Sequence, residues 1–507
     1  MTRSLLALRR LIRFDYLTQS VADTRETFQL HATPEPALLF AEKCDRFILS
    51  VLVFLILFSP LAYGSVDSWA YVLIRVGVLV LLSAFLLRAA YTRDFHFLAP
   101  AFTLPALLFL VLLIIQILPI PIWLRDVVSP APLNRSLLLP SSPEYGAKPL
   151  QSSWTQISLY PPVTWDALID FSICLVLAWV IFNAIRQKDR QRTVLLSVIG
   201  IGSFQALYGL LEYCSGRQGI FFFSKMHYRE DVTGTYINHN HFAGLLDLSI
   251  PILTAFLWTA CSEHGFPTTK TNHARWPRET IYRILTWSAL LSAMLVSLVL
   301  SHSRGGLFSV GSALLLLAFF LLNRRRPSAN RLNRLILAPA LLAMAFLSNE
   351  LISRFSYSFR DAPERIGIWK DATKVVKDFP LWGTGLGTFK YVLPNYREKV
   401  DIVMVDGVPR QASWNFAHND YLQLLVECGI LGLFLAGWGI VLWGRQFRQG
   451  LEITPNVENQ NLRYGLACSV VALLIHSFMD FNLHIPANAF LFVVCLSLSI
   501  SYGSSQE

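Results

Sequence analysis

Apolar runs of about 20 residues, parted by short polar breaks, decide what this chain can fold into, because a helix of that length crosses the hydrocarbon of a bilayer. Runs and breaks place twelve candidate helices at roughly 47–64, 69–91, 98–120, 165–185, 193–213, 238–261, 284–302, 305–323, 335–349, 420–444, 464–480 and 485–502. Of the 507 residues, 54% are hydrophobic and 15% charged. A soluble globular chain carries about 25% charged residues. The deficit excludes a disordered chain, a coiled coil and an ordinary cytosolic enzyme. Backbone polar groups in lipid have to be satisfied within their own segment, so the expected fold class is an all-α polytopic membrane protein of about twelve transmembrane helices. None of the seven cysteines forms a CxxC, and most lie in or beside apolar runs. They suit neither a zinc site nor a disulfide framework.

The net charge of +10 first suggests nucleic acid. Membrane topology accounts for it better, since Lys and Arg collect in cytoplasmic loops. With the N-terminus inside, the inner segments hold 25 Lys and Arg and the short outer loops hold 7. The segment 350–419 holds another 10 and lies outside in this arrangement; segments of that length escape the rule more easily. The expected organisation is a cytoplasmic N-terminal segment 1–46, transmembrane helices one to nine over 47–349, an extracytoplasmic loop domain 350–419, helices ten to twelve over 420–502, and a cytoplasmic tail 503–507. The first run starts too far into the chain for a cleaved signal peptide. Membrane lipids are expected partners and nucleic acid is not; the oligomeric state is not readable.

Ionisable side chains inside a membrane are expensive and tend to mark function. Helix ten carries Asp420, Gln423 and Glu427 on one face, and helix five carries Gln205, Tyr208 and Glu212 at matching spacing. His476 and Asp480 end helix eleven, with His484 following. Polar packing between helices explains each stripe singly. Their convergence on one leaflet points instead to a polar cavity open to the outside.

Arg304 sits in the tight Ser303-Arg304-Gly305-Gly306 connection. The glycines permit a sharp turn that presents the guanidinium at the membrane surface, where it can hold a phosphate bidentately. The plainer reading is one topological arginine. Asp361 and Pro363 mark a helix start, after which Arg365, Trp369, Ala372 and Val376 share a stripe. Arg365 is then either a second phosphate ligand or a partner for a local carboxylate. His418 precedes helix ten, whose N-terminus favours anions and lowers the pKa of a nearby imidazole, as a neutral general base requires. A structural histidine is the alternative. Trp369, with Trp382, Trp414, Tyr391 and Tyr396, suits either sugar stacking or interfacial anchoring. Gly383-Thr-Gly385-Leu-Gly387 lacks a following Gly-Lys-Ser/Thr and reads as a turn rather than a phosphate loop. His239 and His241 fall on different helix faces, which argues against a metal. Asn238 and Asn240 read as caps of helix six.

Three stretches carry a resemblance. They are Gly234-Thr-Tyr-Ile-Asn-His-Asn-His-Phe-Ala-Gly244, Ser301-His-Ser-Arg-Gly-Gly-Leu307 and Ala417-His-Asn-Asp-Tyr-Leu-Gln-Leu-Leu-Val-Glu-Cys-Gly429. In this order they resemble the O-antigen ligase and Wzy-type O-antigen polymerase superfamily, over about residues 195–500. Residues 1–46 and 401–411 have no counterpart in it. The resemblance implies a GT-C-like, metal-independent, inverting glycosyltransferase with no cofactor, acting at the outer face of the bacterial inner membrane. Its donor is a glycan on undecaprenyl diphosphate. The acceptor is lipid A–core in ligases and another lipid-linked repeat unit in polymerases of O-antigen or exopolysaccharide. The family's essential arginines fall on Arg304 and Arg365, and its loop histidine on His418. Asn238, Asn240, Asn419, Asp420, Glu427, Trp369 and Asp480 are the expected substrate-binding set. Ligase-type transfer is the leading reading and Wzy-type polymerisation the alternative. A glycolipid flippase or exporter, and a non-catalytic assembly factor, stay open.

Overall fold

The computed structural model describes residues 35–95, 97–129, 153–217, 219–262, 277–322, 362–397, 402–405, 408–411, 414–454 and 456–503. Among them, eight helices are long and apolar enough to cross a membrane. These are α1 (Glu35–Leu61), α2 (Ser68–Thr92), α5 (Pro161–Ala184), α6 (Lys188–Cys214), α7 (His239–Ser262), α8 (Arg278–Leu300), α9 (Arg304–Leu322) and α12 (Asp420–Glu452). Two shorter apolar helices, α3 (Thr103–Ile117) and α14 (Pro486–Ser501), join them, as does α13 (Val457–His476), which carries Glu458 and a buried Arg463. The short α4 (Ile122–Val128), α10 (Ala362–Asp378) and α11 (Phe389–Val392) lie between the long helices. The chain is thus an all-α polytopic membrane protein. The expected run 335–349 lies outside the described residues, and twelve spans are not reached among those described.

Helix α7 is the axis of the bundle. Its apolar window is wholly buried, because it is hydrophobic all round and α6, α8, α9 and α13 pack against it. Gly465 makes the α13 contact possible: a Cβ there would stand 2.6 Å from the Ala255 side chain. Helix α1 runs from Glu35, well before residue 47, and its third turn is tied to neighbouring helices. Asp45 pairs with Arg88 at 2.8 Å and Arg190 at 2.9 Å, joining α1, α2 and α6.

The described part of 350–419 builds a second, smaller core. Ile368, Ala372 and Val375 of α10, with Phe379 just after it, pack on Phe389, Val392, Leu393, Ala417 and Val426. The buried line therefore runs through Ile368 and Val375, with Trp369 and Val376 on its flank. Residues 402–405 and 408–411 pair as an antiparallel hairpin.

Helix α12 breaks at Gly429, which adopts φ +62° and ψ −168°. The glycine-rich segment threads into that break. Thr384 donates to the Val426 carbonyl (3.0 Å), Gly385 to the Glu427 carbonyl (2.9 Å), and Ile430 donates back to the Pro380 carbonyl (2.8 Å). A Cβ at Gly429 would lie 2.3 Å from the Leu381 oxygen, so no other residue fits. Gly383, Gly385 and Gly387 all have positive φ, and their segment is a turn.

Candidate functional site

Helix α13 ends at His476, and the chain folds back over the next four residues. Met479 and Asp480 both donate their N–H to the His476 carbonyl, at 2.8 and 3.1 Å. Three distant elements meet on this 476–480 turn. Arg365 of α10 donates from Nη1 to the Met479 carbonyl at 3.0 Å. His418 places Nδ1 3.1 Å from Asp480 Oδ1. Gly305, next to the exposed Arg304, abuts the turn so closely that a Cβ there would lie 2.6 Å from His476 Cδ2 and 3.3 Å from Met479 Cβ. Arg304, Arg365 and His418, which are far apart in sequence, are thereby gathered at one place.

His418 is held from several sides. Its backbone is left-handed, with φ +50°. On one side Ala417 donates to Gln423 Oε1 (3.0 Å) and accepts from Trp369 Nε1 (2.9 Å). On the other, Asn419 caps α12, its side chain accepting from Tyr421 N at 3.1 Å and Leu422 N at 3.0 Å. The Phe481 ring meets the imidazole edge-on at 4.9 Å. The ring nitrogen facing Asp480 is thus Nδ1, which leaves Nε2 to act as acceptor if Nδ1 carries the proton. Burial of Asp480 opposes its ionisation, but the His418 hydrogen bond and the neighbouring imidazoles hold its carboxyl well below the usual range.

Five polar atoms around this turn are buried without a hydrogen-bond partner among the described residues: Asp480 Oδ2, His476 Nε2, Ser477 Oγ, His241 Nε2 and Asn482 Nδ2.

The polar stripes have other uses, which corrects the expectation of a polar cavity along them. Asp420 binds His484 Nδ1 at 2.7 Å and the Leu483 N–H at 3.1 Å. Burial pulls the His484 pKa down, but the Asp420 carboxylate raises it above its ordinary value. Glu427 is fully buried and accepts from Gly387 N (2.8 Å) and Phe389 N (3.1 Å), anchoring the glycine turn. On α6, Gln205 donates to Thr235 (2.7 Å), Tyr208 accepts from Phe221 N (2.7 Å), and Glu212 pairs with Lys225 (2.7 Å). Helix-to-loop packing thus uses both stripes. Asn238 does cap α7, accepting from Asn240 N at 2.8 Å, but Asn240 lies inside the first turn and is no cap. A groove of about 680 Å³, lined mainly by apolar side chains such as Phe58, Trp69 and Phe221, shares no residue with the 476–480 turn.

Sequence reasoning passed over one buried group. Asp247, midway along α7, receives His476 Nδ1 at 2.6 Å and Ser309 Oγ at 2.6 Å. Its signal was present as a lone carboxylate in an otherwise apolar helix, which requires a partner.

Fold and site together define a multi-pass helical membrane protein that collects two guanidinium groups and an imidazole at one end of its bundle. Residues 289–437 match the family model described as O-antigen ligase (Wzy_C). This segment is therefore similar to the O-antigen ligase family, the one to which the three sequence stretches pointed. No curated protein matches the chain. The match contains Arg304, Arg365 and His418; the 476–480 turn on which they meet lies beyond it.

Proposed function

We infer that this protein is a glycosyltransferase of the bacterial inner membrane that moves a glycan from undecaprenyl diphosphate to lipid A–core, as an O-antigen ligase does. The observation that carries this reading is the convergence of Arg304, Arg365 and His418 on the 476–480 turn. Such a transfer needs an in-line attack and a stabilised leaving group. The acceptor hydroxyl oxygen attacks the anomeric carbon as the bond from that carbon to the diphosphate oxygen breaks. Undecaprenyl diphosphate departs with the bonding electrons, and Arg304 and Arg365 offset its charge as it develops. The hydroxyl proton passes to His418 Nε2, while Asp480 holds Nδ1–H. Two arginines supply the countercharge that a metal ion supplies elsewhere. The 25-to-7 distribution of basic residues supports a site that faces the periplasm.

A Wzy-type polymerase uses the same donor chemistry and differs in the acceptor. Deleting the gene and analysing surface glycans separates the two. Loss of a ligase leaves long glycans on undecaprenyl diphosphate and bare core on the lipid, which is the expected result. Single repeat units alone would replace the ligase reading with the polymerase one. Unchanged surface glycans would overturn both.

A further inference from the structure

Arg304 is carried by the short turn between α8 and α9, and that turn is held from the side by a group with no part in the reaction so far described. Asp231 lies in the loop before α7. Its Oδ1 stands 2.5 Å from His302 Nδ1 and its Oδ2 stands 3.1 Å from His239 Nδ1. His239, the first residue of α7, also donates from Nδ1 to the Ser301 carbonyl at 2.6 Å. The adjoining backbone makes a parallel tie, Val232 N donating to the Leu300 carbonyl at 3.0 Å. Asp231 is itself fixed: its carbonyl accepts from Lys225 Nζ at 3.2 Å, and Lys225 forms a buried ion pair with Glu212. His239 and Asp231 lie outside the segment 289–437, whereas His302 and Arg304 lie inside it.

The turn needs such a hold. His302 is left-handed at φ +56°, a conformation disfavoured for a residue with a Cβ unless its surroundings enforce it. On the opposite side the turn is already packed: a Cβ at Gly305 would meet His476, and one at Gly306 would lie 2.6 Å from the Ala243 side chain. Asp231 and the two imidazoles close the remaining side.

We propose that Asp231 is a positioning residue for Arg304: through His302, and beside the His239 bond to Ser301, it fixes the 301–304 turn so that the guanidinium meets the donor diphosphate. The inference rests on the donor-site reading above. Its consequence is specific. Removing the carboxylate releases His302 and lets Arg304 drift, weakening the hold on diphosphate without touching Arg365.

The test measures binding of undecaprenyl diphosphate to the full-length protein in lipid vesicles, across a set of double-mutant cycles. Asp231→Asn is expected to weaken binding by about tenfold, less than the hundredfold that an ångström of misplacement can cost. In an Arg304→Ala background the same change is expected to have no further effect, and in an Arg365→Ala background it keeps its full effect. A purely structural role would weaken binding equally in both backgrounds, and that result overturns the inference. His302→Asn, which keeps an N–H donor and tolerates the left-handed backbone, is expected to bind nearly as the native protein does. His302→Phe is expected to behave as Asp231→Asn. Equal behaviour of the two His302 variants also overturns the inference, and this pair decides the matter if Asp231→Asn does not fold. Normal binding by Arg304→Ala would instead remove the donor-site reading itself.

Discussion

The two ends of the helical bundle treat buried charge in opposite ways. At the end carrying the N-terminus of α13, Arg463 is wholly buried and its guanidinium donates to the carbonyls of Gly450 (3.1 Å), Tyr502 (3.2 Å), Ile500 (3.3 Å) and Phe447 (3.5 Å) and to Thr454 Oγ1 (3.2 Å). These acceptors sit at the C-terminal ends of α12 and α14, where the helix dipoles are negative. One cation staples two helix ends. At the other end, the charges are carboxylates against imidazoles: Asp480 with His418, Asp247 with His476 and Asp420 with His484. The Arg463 end is built for cohesion. The 476–480 end keeps its carboxylates and imidazoles beside Arg365 and the turn that carries Arg304.

The contrast can be broken by mutation. Arg463→Met leaves several carbonyls unpaired in the interior, and the cost should approach the roughly 3–5 kcal/mol seen on breaking a buried charge pair. Thermal unfolding in detergent should show a large fall in midpoint, with transfer per folded molecule unchanged. Gly450→Ala should do the same, because its Cβ would lie 1.9 Å from Arg463 Nη2. If either variant is as stable as the native protein, the staple is not one.

Asp480→Asn is the counterpart at the site. It keeps the shape and removes the charge that orients His418, so the loss of a charge-assisted hydrogen bond, about 1.5–3 kcal/mol, should appear in turnover as roughly ten- to a hundredfold. Its stability should change far less than that of Arg463→Met. A variant that melts early but turns over normally would place Asp480 with the structural charges.

The smallest expected effect is the pH dependence that the 476–480 end gives to stability. Asp480 and Asp231 are both held below the ordinary carboxylate value of 3.8, so the stability they contribute is present above that value and is lost as pH falls through their folded values. His484 is raised above 6.5 by Asp420, so its contribution is present below 6.5 and is lost as pH rises through its folded value. Melting midpoints across pH should therefore fall at both extremes, with the alkaline fall reduced in His484→Leu. An identical alkaline fall in that variant would assign it to another group.

Much of the fold was legible because hydrophobic runs report helices directly. The positions of Arg304, Arg365 and His418 were legible because each sits at a helix start with its own local signal, SRGG, Asp361–Pro363 or HND. What joins them was not. The 476–480 turn reads as the polar end of a helix, and only packing shows that it receives α10, the α8–α9 turn and the start of α12. The break at Gly429 was hidden because Cys-Gly-Ile-Leu-Gly continues an apolar pattern, and the glycine-rich segment that inserts there comes from about forty residues upstream. Asp231 and His302 are 71 residues apart, and no periodicity links them. Asn240 was misjudged for a local reason: either asparagine of the Asn-His-Asn-His stretch can cap a helix, and the structure uses the first.

Orientation bears on every functional statement and has a direct check. Phe222, at the tip of the 219–224 hairpin, is almost fully exposed. In a Cys214→Ser background, Phe222→Cys should react with a membrane-impermeant thiol reagent in intact spheroplasts. Reaction only after permeabilisation would turn the site toward the cytoplasm.

The central claim is that Arg304 and Arg365 together hold a diphosphate that leaves during glycan transfer. It is tested most directly by reconstituting the purified protein with undecaprenyl-diphosphate-linked glycan and lipid A–core and measuring product. The native protein should form glycosylated lipid. Arg304→Ala and Arg365→Ala should each lose at least about ten- to a hundredfold in rate while inserting normally, and Lys at either position should rescue only in part, since it cannot bind bidentately. Near-native product from both alanine variants would contradict the account.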